Sequence, residues 1–269
     1  MKVIAIANQK GGVGKTTTAT CLASILSSWG YKTLLIDTDV QCNSTDTYRA
    51  KVEGVATTYD LVIEEPPCSI DEAIQHTEYG DIIAGDPGLE KADLKLQDED
   101  AFFKLKDALE NLTDYEYIII DTNPDVNVML RNALVASDEV VIPVTTDRYP
   151  LKGLSQLTGT ISRVQKRLNP QLKIAGLLIV KYHGNTNLGK DVKNTLVSAA
   201  EEIGTKVFDT NIRESIKCRE SQALRMPLIH YAKKATTEID YENFVREFLG
   251  VSKRPIKKAK SRRDSNGKK

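Results

Sequence analysis

The sequence predicts a doubly wound, mainly parallel α/β sheet flanked by helices. Three observations carry that prediction. Short apolar runs of strand length alternate with helix-length segments along most of the chain. Two of those runs end in an aspartate, Asp37 and Asp121. The first run passes through a glycine-rich loop, Lys10 to Thr17, straight into a helical pattern.

Val3–Ala7 is nearly continuous in apolar residues, as a strand covered on both faces should be. Thr16–Trp29 follows as a helix, with Ala19, Leu22, Ala23, Ile25 and Leu26 at helical spacing and Gly30 as its stop. Thr33–Ile36 is the next buried strand. Residues 43–115 are more mixed. They hold an expected strand at Asp81–Ala84, between Gly80 and Gly85. They also hold an expected amphipathic helix at Asp98–Leu112, with Phe102, Leu105, Leu109 and Leu112 on one face. Tyr117–Ile120 and Val140–Val144 read as strands, Tyr149–Leu168 as a long helix and Ile174–Val180 as a strand. Leu188–Ile203 reads as a helix, Lys206–Phe208 as a short strand and Ile239–Leu249 as a last helix. No fixed-period repeat or Pro/Gly linker interrupts the chain before residue 250. The expected organisation is one domain, 1–250, and a basic, disordered tail, 251–269.

The 269 residues include 37 basic and 37 acidic side chains, so the formal net charge is zero. That average hides a split. Nine of the basic residues and one acid lie in Ser252–Lys269, leaving 28 basic and 36 acidic residues in 1–251. The body is therefore acidic and the tail basic. No apolar run approaches the roughly 18 residues of a membrane span. The N-terminal apolar stretch is shorter than a signal-peptide core. Cys21, Cys42, Cys68 and Cys218 are scattered, with no C-x-x-C pair, as fits free thiols in a reducing cytosol. The three histidines are far apart, so no zinc site is expected. The first strand starts at residue 2 or 3, and no DNA-reading module is expected ahead of it.

Lys10-Gly11-Gly12-Val13-Gly14-Lys15-Thr16-Thr17 sits between a buried strand and a helix, the context of a phosphate-binding loop. Glycines let successive N–H groups turn inward at phosphate oxygens. The following helix adds the positive end of its dipole. Lys15 is expected to reach the β- and γ-phosphates and the Thr16 hydroxyl to ligate Mg²⁺. Asp37 and Asp39, at i and i+2, lie on one side of an extended strand end. In an open α/β sheet that end faces the ligand. Tyr117 to Pro124 reads as a Walker B strand carrying Asp121 toward Mg²⁺.

Gln9 stands where the general loop pattern has its first glycine, and a second lysine, Lys10, opens the loop. In this form, K-G-G-V-G-K-T-T, the loop resembles the deviant Walker A motif of the ParA/MinD family of ATPases. Asp37, Asp39, Gln41 and Asn43 follow that family's D-x-D-P-Q-x-N pattern, with departures at Val40 and Cys42. Asn123 replaces a proline of its D-x-P-P pattern. The resemblance spans about residues 2–249. It is specific over the first 45 and looser afterwards.

The resemblance implies an ATP- and Mg²⁺-dependent homodimer in which Lys10 contacts the partner's phosphates. It implies that Asp39 positions the attacking water and that Asp37 supports the Mg²⁺ shell. It also implies that Lys181, Asn211 and Ile212 lie near the base. By the same resemblance the dimer binds DNA without sequence preference, and a ParB-like centromere-binding protein stimulates slow hydrolysis. The expected location is cytoplasmic and nucleoid-associated. Lys190, Lys193, Arg213, Lys217, Arg219 and Arg225 are the expected DNA contacts, with the tail as a second phosphate-binding element.

Two alternatives stay open. A MinD-like membrane-attached ATPase needs a C-terminal amphipathic helix, and residues 252–269 offer only Ile256 as a bulky apolar residue. A nucleotide-gated binding module would arise if Val40, Cys42 and Asn123 had removed hydrolysis.

Overall fold

The computed structural model describes residues 1–98, 100–110, 112–146, 150–183 and 187–255. Among these, β1 (Lys2–Ile6), β2 (Thr33–Asp37), β3 (Ile74–Thr77), β4 (Gly80–Ile83), β5 (Tyr117–Asp121), β6 (Glu139–Thr145) and β7 (Lys173–Val180) form one sheet. Its order is β3-β4-β2-β5-β1-β6-β7. Every adjacent pair is parallel except the β3–β4 edge hairpin.

The helices are α1 (Lys15–Ser28), α2 (Asn43–Thr47), α3 (Thr58–Val62), α4 (Ile70–Ala73), α5 (Ala92–Lys95), α6 (Lys104–Leu109), α7 (Val128–Ala136), α8 (Pro150–Arg167), α9 (Asn187–Glu202), α10 (Ile216–Ala223), α11 (Leu228–Tyr231) and α12 (Thr236–Leu249). They cover both faces because strand side chains alternate. Ile4, Leu35, Ile119 and Val141 face α1 and α12, packing with Leu22, Leu26, Phe244 and Val245. The residues between them face the other way. Val3, Leu34, Ile36, Ile118 and Ile120 pack with Leu61, Leu105 and Met129. Ala5, Val140, Ile142 and Leu177 pack with Leu157, Ile161 and Leu196. Each such buried Val, Leu, Ile, Phe or Met side chain contributes about 1.5–3 kcal/mol.

The predicted doubly wound α/β class holds, with departures in detail, among them short helices α2 to α5, α10 and α11 that were not expected. The helix expected over 98–112 is confined to Lys104–Leu109. Asn132 of α7 captures the backbone there, accepting from Leu105 N–H at 3.1 Å and donating to the Ala101 carbonyl at 2.7 Å. Those groups are thereby taken out of a continuous helix ladder. The strand expected at Lys206–Phe208 reduces to a single bridge between Leu177 and Val207. Gly176 leaves room for this approach, since a Cβ there would meet the Phe208 ring at 2.8 Å. β3 was not expected, because its half-exposed Gln75 and exposed His76 give no apolar signal. Nor was α7, whose N-terminus is capped by the Asn127 side chain accepting from Leu130 N–H at 2.9 Å. Residues 256–269, most of the expected tail, lie outside the described residues.

Candidate functional site

In this sheet β1, β2 and β5 run parallel and end at one rim, where open α/β folds bind ligands. β1 leads through the glycine loop into α1. Gly12 and Gly14 have φ of 73° and 77°, the left-handed region that glycine enters without Cβ strain. Gly14 is also the N-cap of α1 and has no side chain to cap it. The first amides of α1 are therefore open at the rim, an arrangement suited to an anion. Asn8 braces the loop, accepting from Lys10 N–H at 3.0 Å and donating to the Pro143 carbonyl at 2.7 Å.

Lys15 is buried, and its Nζ reaches the Lys10 carbonyl at 3.4 Å. Burial lowers its pKa, while Asp121, Asp39 and Asp125 pull it back up. From the opposite wall Lys181, itself at φ 53°, donates from Nζ to the Gly12 carbonyl at 2.7 Å.

Three carboxylates approach from β2 and β5. Asp37 and Asp121 are register partners on adjacent strands, and both are fully buried. Asp37 Oδ2 accepts from Thr45 twice, from N–H at 2.9 Å and from the hydroxyl at 2.8 Å. Its Oδ1 accepts from Asp39 N–H at 3.0 Å. Asp121 Oδ2 accepts from the Ser44 hydroxyl at 2.8 Å, and its Oδ1 has no hydrogen-bond partner. Burial first, and then the neighbouring Asp37 charge, push the Asp121 carboxyl up to about 8, against the Ser44 and Thr16 hydroxyls. Burial likewise pushes Asp37 up to about 6, against the hydrogen bonds from Thr45 and Asp39. Asp39 is 6% exposed, and its Oδ1 accepts from Gln41 N–H at 3.0 Å.

The glycine loop, Lys15, Lys181 and Asp39 line a cavity of about 610 Å³. Of the residues expected to bind a nucleotide, Gly11, Gly12, Gly14, Lys15, Thr16, Thr17, Lys181 and Ile212 line it, and so does Asp39. Val13 turns into the core instead, 1% exposed. Asp37, Asp121, Lys10 and Asn211 are not among the lining residues. Asn211 Oδ1 instead accepts from Lys193 Nζ at 3.3 Å.

The expected DNA contacts differ in their surroundings. Arg213 and Arg219 line the cavity. Arg213 is also clamped on Asp240, through Nη2 at 2.6 Å and Nε at 2.8 Å. Lys217 pairs with Glu220 at 2.9 Å, and Arg225 with Asp46 at 3.4 Å. The Lys190 side chain lies outside the described residues.

Sequence reasoning missed Ser44 and Thr45, which bond the two buried carboxylates, and Gln222, whose amide donates to Thr17 Oγ1 at 3.1 Å. Small polar residues after the Asn43 of the motif were the available signal for the first two. Nothing local in the sequence marks Gln222.

The oxygen donors suit Mg²⁺, a hard cation that keeps water and phosphate oxygens in its shell. Asp121 supplies an unpaired buried oxygen, with the Thr16 hydroxyl on the cavity wall beside it. Among the described residues no three His, Cys, Asp or Glu side chains group to hold a metal by themselves. A cation here would therefore need the ligand's own oxygens.

The family model described as an AAA domain matches residues 1–174. The chain is 35% identical over 255 residues to the chromosome partitioning protein ParA of Caulobacter vibrioides, covering 93% of this chain and 94% of that one. Among solved structures it is similar to a putative plasmid partition protein from Borrelia burgdorferi bound to AMPPNP. That match has 30% identity and a TM-score of 0.78, over 93% of this chain and 98% of that chain. It is also similar to cobyrinic acid a,c-diamide synthase from Mycobacterium smegmatis with bound ADP and magnesium. There the identity is 27% and the TM-score 0.79, over 93% of this chain and 94% of that chain.

Proposed function

This chain belongs to the ParA family of partition ATPases, and from that premise we propose that it is an ATP-driven DNA-segregation switch. ATP binds the glycine loop and joins two copies, with Lys10 of each acting on the other's phosphates. The ATP dimer binds DNA without sequence preference, and a ParB-like centromere-binding protein stimulates slow hydrolysis and release. Residues 1–250 carry the ATPase and residues 251–269 add a basic tail. The cell compartment is the cytoplasm, on the nucleoid.

One observation carries this reading above the others: the open glycine loop and Asp39 line the same cavity at the rim of parallel strands. Phosphoryl transfer asks the protein mainly to position groups and neutralise charge. Lys15 and the first amides of α1 hold the phosphates. Asp39 orients the attacking water from the facing wall. Thr16 and Asp121 would hold Mg²⁺, which would supply charge neutralisation at the β- and γ-phosphates. Ile212 offers an apolar surface, with Lys181 beside it at the loop.

Asp39→Ala tests the assignment. Turnover should fall by about a hundredfold or more, the scale on which a misplaced reacting group costs rate, while ATP binding persists and the ATP form stays on DNA. Turnover equal to that of the unaltered chain would remove Asp39 from the mechanism.

A further inference from the structure

The short helix α2 makes a set of hydrogen bonds that goes beyond holding the fold. Its consecutive residues Ser44 and Thr45 each donate to a different buried carboxylate, Ser44 to Asp121 on β5 and Thr45 to Asp37 on β2. Those carboxylates are register partners on adjacent strands. Thr45 does more than Ser44. It gives Asp37 Oδ2 both its N–H and its hydroxyl, and the hydroxyl in turn accepts from Gly85 N–H at 2.8 Å, just past the end of β4. One side chain thus ties three elements together: α2, β2 and the exit of β4.

Asp37 passes that constraint on. Its other oxygen accepts from Asp39 N–H, and Asp39 then accepts from Gln41 N–H. There is no slack around the relay. A Cβ on Gly85 would lie 3.0 Å from Asp37 Cγ and 3.1 Å from the Asp39 carbonyl oxygen. The Thr45 hydroxyl serves both Asp37 and Gly85 from a single rotamer, and β-branching narrows the choice of rotamer.

We propose that Thr45 is a positioning residue for hydrolysis: by fixing the Asp37 carboxylate from below, it sets the backbone that aims Asp39 into the nucleotide cavity. Thr45 itself is 2% exposed and does not line that cavity, so it touches no nucleotide. The inference rests on Asp39 acting as proposed above. It assigns the accuracy of that action to a residue on the next turn of chain.

The consequence is a split between binding and turnover. Thr45→Val keeps the shape and removes the hydroxyl. Gly85 N–H then has no acceptor there, Asp37 keeps only the Thr45 backbone bond on that oxygen, and the Asp39 loop loosens. The glycine loop on the opposite wall is untouched. Thr45→Ser keeps both the donor and the acceptor. In steady-state hydrolysis with MgATP, kcat of Thr45→Val should fall about tenfold to a hundredfold. KM should stay within about twofold, and the affinity for ADP measured by calorimetry should not change. Thr45→Ser should return kcat to within about threefold of the unaltered chain.

A kcat that does not fall in Thr45→Val overturns the proposal, as does an equal loss of ADP affinity or a failure of serine to rescue. Hydrogen exchange on the unaltered chain tests the same claim without any variant. The amides of Asp39, Thr45 and Gly85 should open together as one protected unit. Independent exchange of the three overturns the proposal even if Thr45→Val fails to fold. An unaltered chain that shows no hydrolysis contradicts the ATPase reading instead, and separates that failure from this one.

Discussion

Asp37 and Asp121 place two carboxyl groups side by side in a fully buried position, and the fold bears a cost for ionising them. Each pKa is raised above the ordinary value of about 4, to about 6 for Asp37 and about 8 for Asp121. A carboxyl that holds its proton more tightly when folded than when unfolded adds stability at acidic pH. That contribution is complete below the unfolded value and is lost as pH rises through the folded one. The nucleotide-free protein should therefore melt at progressively lower temperature between about pH 4 and pH 8. Asp121→Asn should flatten most of the upper half of that slope and raise the melting temperature at pH 8. Calorimetric melting of both proteins across this range checks it, and parallel curves would contradict it.

The roles at this scale were unevenly legible in the sequence. Lys15, Thr16 and Asp39 could be placed at the cavity because a local pattern marks them: a glycine loop, and aspartates two apart on a strand end. Thr45 could not. Its partners lie eight residues back and 40 residues on, and only the pairing of β2 with β4 brings them together. Nor could the sequence show that Asp39 lines the cavity while Asp37, expected on the same side, does not. That follows from where the strand ends and the loop turns.

Among the elements, α10 is tied at two points to segments that line the nucleotide cavity. Gln222 reaches Thr17 of α1. Just past that same end of α10, Arg49, which follows α2, donates to the carbonyls of Arg225 at 3.0 Å and Leu224 at 3.3 Å, and to Glu78 at 2.8 Å. Its guanidinium also lies 5.4 Å from the Tyr79 ring centroid. Arg49 holds φ 53°, a conformation that costs a non-glycine residue about 1–2 kcal/mol. Two substitutions separate these effects. Arg49→Ala removes the side-chain bonds and keeps the strain. The half-exposed position of the guanidinium discounts that loss to about 1 kcal/mol. Arg49→Gly removes the same bonds and relieves the strain, so it should be less destabilised than Arg49→Ala. Denaturant unfolding of the pair gives the comparison, and a glycine variant less stable than the alanine one would contradict it.

Element identity was legible over most continuously buried segments, with α7 the exception. The parallel strands of the sheet centre and helices α1, α8, α9 and α12 stand within a few residues of expectation, because periodic apolar burial records itself locally. α6 is shorter than its apolar pattern because Asn132, distant in sequence, takes its would-be backbone partners. The half-exposed edge strand β3 left no such record.

At the scale of the whole molecule, charge is the property to explain. An acidic body should repel DNA, so affinity must come from a local basic face, from the tail, or from both. The proposed local contribution comes from Lys190, Lys193, Arg213, Lys217, Arg219 and Arg225. Removing residues 252–269 deletes nine cations. For every DNA phosphate that the shortened chain leaves unneutralised, the slope of log affinity against log salt becomes shallower by about 0.9. The truncated chain should therefore bind DNA more weakly and with a shallower salt dependence, while its preference for the ATP state persists. Loss of that preference on truncation would place the nucleotide switch in the tail.

On the proposed function, the nucleotide in this cavity decides whether the molecule holds DNA. Co-sedimentation of the full chain with plasmid DNA, with ATP or ADP and Mg²⁺ at low and high salt, tests it most directly. Binding with ATP at low salt, a steep fall at high salt and little binding with ADP are expected. Equal binding with both nucleotides, or binding to anionic liposomes and not to DNA under the same conditions, would contradict it.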